Sequence, residues 1–370
     1  MTEGHIEVDY RLQSPEGALA GRVEALLLEQ TVELPRSALR SSFVRDRLVG
    51  RVLGTEAVGP GDFRVTLAQP ELATGDDPAQ LLNVLFGNCS LQPDVQLEDV
   101  RLSPRIRQAL GGPRFGIAGI RRLVGATGRA LTCSVLKPIG LTNQESAQLC
   151  LNLSLGGLDI VKDDHGHADH SFGPFGERVR LCLKATEEAA ESTGRRTLYV
   201  PNLTGSPATV LLQARLAREA GVGAVMVSPM LIGLPFLVDL ASELGMPILA
   251  HPAFGGAQRV SPLALLGRLF PAFGADAVIF PSYGGRFSYS RAECGLIAGA
   301  LTAPAGGSPP CFPVPAGGMK VANMGEALGF YGMETILLIG GSLLDAPDAG
   351  SLISRARQFV DAVARHPYTR

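Results

Sequence analysis

Short apolar runs recur from about residue 130 onward, and a segment with helical spacing of apolar positions follows most of them. Eight runs have the length and composition of strands buried on both faces, namely Leu131–Leu136, Leu158–Val161, Thr197–Val200, Ala224–Val227, Pro247–Ala250, Ala277–Phe280, Cys311–Val314 and Thr335–Ile339. The intervening segments predict helices such as Asn143–Ser154, Phe175–Ala190, Pro207–Glu219, Gly233–Leu244 and Pro262–Leu269. Eight such units predict a (β/α)8 barrel. A doubly wound open sheet is the alternative, but it seldom reaches eight units and needs a Gly-x-Gly-x-x-Gly turn that the chain lacks.

The first 112 residues follow a different pattern, in which strands alternate polar and apolar positions. The predicted order is strand His5–Leu12, helix Gly17–Leu28, strands Arg51–Val58 and Asp62–Leu67, helix Pro78–Phe86 and strand Val95–Leu102. This βαββαβ order is typical of a ferredoxin-like sandwich. Breaks at Ser103-Pro104 and Gly111-Gly112-Pro113 indicate the linker, so we expect a ferredoxin-like domain over 1–112 and the barrel over 113–370.

Composition narrows the range of partners. The 370 residues are 46% hydrophobic and 18% charged with a net charge of −2, which favours a large buried core and disfavours nucleic acid or an anionic membrane as partner. The acidic segment Met1–Tyr10 does not have the cationic and apolar pattern of a signal peptide, and the six cysteines show no paired spacing. We therefore expect a cytoplasmic protein with reduced thiols.

Ionisable residues follow the predicted strands where a barrel keeps its chemistry. Lys137 follows the first strand, Lys162-Asp163-Asp164-His165 the second and His251 the fifth. Alternation along an extended chain puts Lys162 and Asp164 on one side, towards a site, and Asp163 on the other, in a structural role. Lys162, Asp164 and His165 are residue types that hold a divalent metal. In a dry pocket Lys137 can act as a base on a carbon next to a carbonyl, and the alternative is a lysine that reaches solvent.

Glycine pairs follow the seventh and eighth strands, as Gly317-Gly318 and Gly340-Gly341. Their backbone N–H groups can bind an anion, so the two pairs together predict a phosphate on the substrate, with tight turns as the alternative. His167 and His170 follow His165, and the density of histidines leaves a zinc site open. The favoured interpretation of His167 and His170 is a polar loop leading to the next helix.

These residues, in this order, resemble ribulose bisphosphate carboxylase (Rubisco) and its form IV Rubisco-like relatives over nearly the whole chain. The carrying motifs are Leu136-Lys137-Pro138, Gly156–Asp164, His251, Ala316-Gly317-Gly318 and Gly340-Gly341. The resemblance implies that CO2 carbamylates Lys162 and that the carbamate and Asp164 bind Mg²⁺, with His165 where the family has its third ligand, a glutamate. It implies Lys137 as the enolising base or proton donor. It also implies at least a homodimer, in which Asn88 completes the site of a neighbouring subunit.

Departures from the family pattern narrow the expected reaction. Pro252 stands where the carboxylase has a phosphate-binding arginine, and Ala316 where it has a serine, so the resemblance implies a substrate with one phosphate. Arg286 lies near the position of the mobile-loop lysine and is expected at the substrate. The expected activity is decarboxylation of a 3-oxo sugar-acid phosphate of the 3-oxo-isoapionate-4-phosphate type, with His251 moving a hydroxyl proton or polarising a carbonyl. The alternatives are an enolase or isomerase of a methylthio-sugar phosphate in methionine salvage, and an inactive regulatory protein.

Overall fold

The computed structural model describes residues 4–303 and 307–368. Its strands are β1 (His5–Gln13), β2 (Arg51–Gly59), β3 (Asp62–Pro70), β4 (Val95–Arg101), β5 (Leu131–Leu136), β6 (Ile160–Asp163), β7 (Leu198–Val200), β8 (Asn202–Leu203), β9 (Val225–Val227), β10 (Ile248–Ala250), β11 (Ala277–Pro281), β12 (Phe312–Ala316) and β13 (Ile336–Leu338). Its α-helices are α1 (Leu19–Glu29), α2 (Ser42–Arg47), α3 (Pro78–Phe86), α4 (Pro104–Leu110), α5 (Gly116–Val124), α6 (Asn143–Leu155), α7 (Phe175–Thr193), α8 (Pro207–Glu219), α9 (Pro229–Ile232), α10 (Leu234–Leu244), α11 (Phe270–Ala272), α12 (Arg291–Thr302), α13 (Met324–Tyr331), α14 (Gly341–Leu344) and α15 (Ala349–Arg365). In the described residues, no helix has the length and apolar character needed to span a membrane.

The first compact unit comprises Met1–Gly112 and Gly255–Phe273. Its four strands form an antiparallel sheet in the order β2-β3-β1-β4. Alternate residues of β1 are fully buried, as the polar and apolar alternation predicts. Helix α3 begins where Asp77 accepts a hydrogen bond from the backbone N–H of Gln80 and Pro78 opens the first turn. The order and pairing of the strands confirm the predicted ferredoxin-like sandwich.

The segment Gly255–Phe273 joins the first unit through β4. The backbone N–H of Leu97 donates to the carbonyl oxygen of Arg259 at 3.0 Å, and the N–H of Ser261 donates to the carbonyl oxygen of Leu97 at 2.8 Å. Arg268 adds an ion pair to Asp99 at 3.0 Å. A helix occurs close to its predicted position, as a π-helical stretch over Leu263–Leu269. The sequence pattern did not indicate that this segment belongs with residues 1–112.

The second unit, Pro113–Phe254 and Gly274–Arg370, contains the parallel strands. They pair in two arcs, β12-β11-β10-β9-β8 and β13-β5-β6-β7, as expected for the (β/α)8 barrel. The third predicted strand, Thr197–Val200, corresponds to β7, and the short strand β8 follows it after Pro201, a residue that has no N–H to donate to a neighbouring strand. Ile117, Ile120 and Val124 of α5 join the apolar cluster formed by residues of the barrel strands. Helix α6 begins with a capping box between Thr142 and Glu145.

The second barrel strand extends further than its apolar run. We predicted Leu158–Val161, whereas β6 spans Ile160–Asp163, so Lys162 and Asp163 lie inside the strand. Lys162 is paired with Val135 on one side and Val200 on the other, and Asp163 with Leu136. The strand can continue through charged residues because these side chains have polar partners inside the unit, described below.

Candidate active site

Lys162 is buried in the second unit, with 2% of its surface exposed. Its Nζ donates to the backbone carbonyl oxygen of Asp163 at 2.9 Å. Burial lowers the pKa of Lys162, and the charge of Lys137 acts in the same direction. The neutral amine is the form that can attack CO2, so burial favours the reactive form of Lys162.

Asp163 is fully buried and faces a different set of partners from Lys162 and Asp164. Its carboxylate accepts from the Tyr199 hydroxyl at 2.8 Å, from Arg178 Nε at 3.1 Å and from the backbone N–H of Asn202 at 3.2 Å. Arg178 also donates to the carbonyl oxygen of Gly173 at 2.8 Å. These bonds attach the end of β6 to the following loop and the neighbouring strands, which is a structural role.

Asp164 lies among cationic and polar groups. Its Oδ1 is 3.4 Å from Lys137 Nζ and 3.2 Å from His165 Nδ1. Burial alone would raise the pKa of Asp164, but the contact with His165 and the charges of Lys162 and Lys137 together hold it below its ordinary value. Asp164 is therefore a carboxylate across the physiological range. Lys137, which follows β5, is about one-third exposed, so a substrate in the site can reach its amine.

His251 follows β10 and lies against His165. The two imidazole rings are stacked, with centroids 4.1 Å apart and planes inclined by 9°. Burial, followed by the charge of Lys162, lowers the pKa of His251 to about 2. Its Nδ1 accepts from the backbone N–H of Ala253 at 3.1 Å. Because an amide N–H can only donate, the proton of the neutral ring is on Nε2, and His251 offers a hydrogen-bond donor there.

The two other histidines of the loop differ from each other. Both lie in the loop before α7, as predicted, but His167 is buried within it, 3% exposed, with its Nδ1 3.8 Å from Asp163 Oδ1. His170 stacks on Phe172, and its Nε2 is 3.2 Å from the carbonyl oxygen of Gly166. Across residues 4–303 and 307–368, no group of three His, Cys, Asp or Glu side chains is arranged as metal ligands. The geometry therefore does not support the zinc alternative, and a metal at Asp164 and His165 needs a donor of another type.

The two glycine pairs are brought together by a hydrogen bond between their turns, from Ser342 Oγ to the carbonyl oxygen of Met319 at 2.9 Å. Gly317 and Gly318 have φ values of +89° and +132°, which favour glycine. At Gly318 a Cβ atom would lie 2.7 Å from the Cα of Gly285. Neither Gly340 nor Gly341 has a positive φ, and Gly341 has open space around its Cα.

Arg286 lies in the loop that follows β11, at the first glycine pair. Its backbone N–H donates to the carbonyl oxygen of Gly317 at 2.9 Å, and its exposed guanidinium lies 4.9 Å from the centroid of the Phe287 ring. A cation therefore accompanies the backbone N–H groups that we predicted as an anion site.

Asn88 belongs to the first compact unit, whereas the residues above belong to the second. Its Nδ2 donates to Glu29 Oε1 at 3.0 Å, and both residues line a cavity of about 440 Å³ in that unit. Its role in a neighbouring subunit's site stays a prediction.

The sequence analysis gave no functional role to Asn202, which begins β8 after Pro201. Its Nδ2 donates to the carbonyl oxygens of His165 and His167 at 3.1 and 3.0 Å, so it fixes the backbone of the histidine loop. Asn202 is 1% exposed, and its Oδ1 and the hydroxyl of Ser228 at the end of β9 are buried without a hydrogen-bond partner among the described residues. The available signal was a polar residue at the end of a predicted strand, but the partners of Asn202 are visible only in the folded chain.

Comparison with known proteins identifies the family. Residues 116–255 match the model of the ribulose bisphosphate carboxylase large chain, catalytic domain. Ribulose bisphosphate carboxylase-like protein 1 of Rhodopseudomonas palustris is 44% identical over 362 residues, which cover 98% of this chain and 98% of that protein. This chain is a Rubisco-like protein of the ribulose bisphosphate carboxylase large-chain family.

A second relative and a solved structure match this chain over nearly its whole length. The 5-methylthioribulose-1-phosphate isomerase of Rhodospirillum rubrum is 41% identical over 361 residues, or 97% of this chain and 96% of that enzyme. The crystal structure of a Rubisco-like protein from Rhodopseudomonas palustris superposes with a TM-score of 0.92 at 42% identity and covers 100% of each chain. The resemblance noted from the motifs is thereby confirmed, together with the fold that it implied.

Proposed function

We propose that this protein is an isomerase that forms the enolate of a methylthio-ketopentose phosphate, with 5-methylthioribulose 1-phosphate as its substrate. The observation that carries the proposal is the contact of Lys137 and Asp164 beside a neutral His251 at one end of the barrel. This set can move a proton on a carbon next to a carbonyl. The 41% identity to an isomerase of this substrate over almost the full chain supports the choice of substrate.

Lys137 is the proposed carrier of the proton. As a neutral amine it accepts a proton from the carbon beside the substrate carbonyl, which leaves an enolate. The hydroxyl proton on the oxygen of that carbon moves to the former carbonyl oxygen, and the ammonium returns the first proton to the former carbonyl carbon, so that the carbonyl moves to the neighbouring carbon. No net proton is gained or lost, so the reaction needs no oxidant or reductant. Asp164, 3.4 Å from Nζ, stabilises the ammonium between the two transfers.

The oxygen of the enolate and the phosphate have separate proposed partners. His251 donates from Nε2 to the developing oxyanion, and its low pKa keeps it a neutral donor throughout. The backbone N–H groups at Gly317, Gly318, Gly340 and Gly341 bind the phosphate, with the guanidinium of Arg286 as counter-charge.

Asp164 and His165 would hold a divalent cation, because His165 Nδ1 is buried beside Asp164 Oδ1 without a hydrogen bond among the described residues. Lys162, once carbamylated, is the proposed third ligand. When bound there, the cation supplies Lewis-acid polarisation of the carbonyl. Carbamylation joins the neutral Nζ to the carbon of CO2, moves one C=O electron pair to oxygen and releases a proton to water.

The test is turnover of 5-methylthioribulose 1-phosphate by the purified protein in D2O with bicarbonate and a divalent metal, followed by NMR. The expected result is an isomeric ketose phosphate, with deuterium at the carbon that exchanges its proton. Lys137→Ala and Lys162→Ala should abolish turnover. Absence of exchange and of product, with a folded and metal-loaded protein, would contradict the proposal.

The decarboxylase and enolase hypotheses are separated by the same preparation. Release of CO2 from a 3-oxo sugar-acid phosphate would favour the decarboxylase, an activity that appears in the name of neither relative described above. Enolisation of a 2,3-diketo methylthiopentyl phosphate without isomerase activity would favour the enolase. Full biological activity of Lys137→Ala and Lys162→Ala variants would favour an inactive, regulatory protein.

We further propose that the protein works as a homodimer or larger assembly in which Asn88 serves a neighbouring subunit. Mixing Asn88→Ala and Lys162→Ala proteins under conditions that exchange subunits tests this arrangement. Recovery of part of the activity is expected, because some mixed sites receive both intact residues. No recovery from a mixture shown to contain mixed dimers would place Asn88 in the site of its own chain.

A further inference from the structure

Two donor atoms in the barrel unit have the spacing of neighbouring ligands of one metal ion. His165 Nδ1 and Asp164 Oδ1 lie 3.2 Å apart. When a cation binds one nitrogen and one oxygen ligand at about 2.1 Å each, with an angle near 90° between the two bonds, the two ligand atoms lie about 3 Å apart. Nδ1 makes no hydrogen bond in the part of the chain that the structure describes, although it is buried. The pair therefore has an open donor site and the correct spacing before any cation binds.

His165 is held at its ring and at its backbone. One face stacks on His251 at 4.1 Å, and the backbone carbonyl of His165 accepts from Asn202 Nδ2 at 3.1 Å. His251 is not an equivalent ligand, because its Nδ1 already accepts from Ala253 and its Nε2 carries the proton. Of the two stacked rings, that of His165 has its Nδ1 beside Asp164, where a cation can take the place of a proton.

Ligand chemistry decides which cation suits this pair. Mg²⁺ prefers carboxylate, carbonyl and water oxygens, whereas imidazole favours Fe²⁺, Co²⁺, Ni²⁺ and Zn²⁺. A neutral imidazole also leaves the site with one negative charge fewer than a third carboxylate would give. The lost charge weakens binding of all these dications, and the nitrogen ligand offsets that loss for the transition metals but not for Mg²⁺.

We propose that this protein takes a transition-metal dication of that group in preference to Mg²⁺, and that His165 sets the preference as a nitrogen ligand beside Asp164. The inference rests on the metal-assisted enolisation proposed above. His165 is then a nitrogen ligand at the position where the resemblance to Rubisco implies a glutamate, which is an oxygen ligand.

The test measures metal binding without substrate. Metal-free full-length protein, equilibrated with bicarbonate, is titrated with Co²⁺ and separately with Mg²⁺, and the two Kd values give a selectivity ratio. His165→Glu should lower the preference for Co²⁺ over Mg²⁺ by at least the roughly tenfold by which altered ligand shells change metal affinity. His170→Gln, in the same loop but directed at Gly166, is the matched control and should leave the ratio unchanged.

A spectroscopic readout identifies the ligand directly. Cu²⁺ is bound as a paramagnetic probe, and pulsed EPR detects the remote nitrogen of a coordinated imidazole. The signal should be present in the native protein and in His251→Gln, and absent in His165→Glu. Circular dichroism and thermal melting establish that each variant is folded.

The outcomes separate this inference from the proposed function. No metal binding in bicarbonate, an unchanged ratio in folded His165→Glu, or an imidazole signal that survives that substitution would overturn the inference. Turnover of 5-methylthioribulose 1-phosphate together with any of these results would leave the isomerase proposal standing. A shifted ratio with no turnover on any substrate would retain the metal preference and reject the isomerase.

Discussion

The rings of His165 and His251 are stacked 4.1 Å apart although the two residues follow different strands of the barrel. The backbone N–H of Ala253 donates to His251 Nδ1, so the ring proton of His251 is on Nε2, where it can be donated. We expect His251→Ala to lower kcat by about 10²–10³, the usual cost of removing one oxyanion donor. His251→Gln, whose amide keeps a donor, should recover part of the loss. Steady-state kinetics with 5-methylthioribulose 1-phosphate measures both, and equal rates for the native and Ala variants would exclude the role.

Lys137 is the second target because its amine is partly exposed and faces Asp164. Lys137→Ala should lower kcat by about 10²–10⁴ through loss of proton transfer, with little effect on the melting temperature. The exposed Lys184→Ala is the matched control and should leave both quantities unchanged. Persistence of deuterium exchange at the substrate carbon in Lys137→Ala would assign the proton to another group.

The two glycine pairs allow a paired test of the phosphate site. Gly318→Ala forces a non-glycine residue to φ +132° and brings Cβ to within 2.7 Å of Gly285. We expect a loss of about 1–3 kcal/mol in unfolding free energy and a higher KM for the phosphorylated substrate. Gly341→Ala has open space and ordinary backbone angles, so it should unfold like the native protein. Chemical denaturation and competition by inorganic phosphate are the measurements.

Asn202 should act on metal binding through the backbone of the histidine loop. Asn202→Leu removes the donor for two carbonyl oxygens, those of His165 and His167, and leaves the two acceptors without that bond. We expect a loss of about 1–3 kcal/mol in stability and a 10–100-fold weaker Kd for Co²⁺. If stability falls while the Co²⁺ affinity of the folded protein is unchanged, Asn202 has a structural role alone.

Asp9 and Arg101 give a prediction for pH dependence in the first unit, where Arg101 Nη1 lies 2.8 Å from Asp9 Oδ2. Burial opposes ionisation, but hydrogen bonds from Arg101 and Thr66 lower the pKa of Asp9 below its ordinary value near 3.8. The resulting stabilisation is present above that value and is lost as the pH falls through the folded-state pKa. Asp9→Asn should therefore be less stable than the native protein at pH 7, with a difference that shrinks towards pH 3.

Urea denaturation across this pH range measures the difference, and the exposed Asp46→Asn is the control that should follow the native curve. A difference that stays constant from pH 7 to pH 3 would show that Asp9 stabilises the fold by packing and not by its charge.

Local patterns predicted the bounds of an element closely where the apolar pattern and the capping residues indicate the same ends. Strand Leu131–Leu136 and helices Pro78–Phe86 and Pro207–Glu219 have their predicted bounds. The end of β6 was placed two residues too early, because the partners that bury Lys162 and Asp163 come from other strands and from α7. Non-local packing also determines the stack of His165 on His251 and the bond from Asn202 to the histidine loop. A single sequence does not contain these relations in its periodicity.

The placement of Gly255–Phe273 with the first compact unit has a consequence for synthesis. A chain that emerges from the ribosome in order has β1 to β4 available long before the segment that donates to and accepts from Leu97. The first unit cannot be complete until residue 273 has been made, by which time β5 to β10 are also present. Ribosome-bound chains ending after residue 112 should therefore lack part of the native hydrogen bonding of β4, and the first unit gains it only after β5 to β10 have been made.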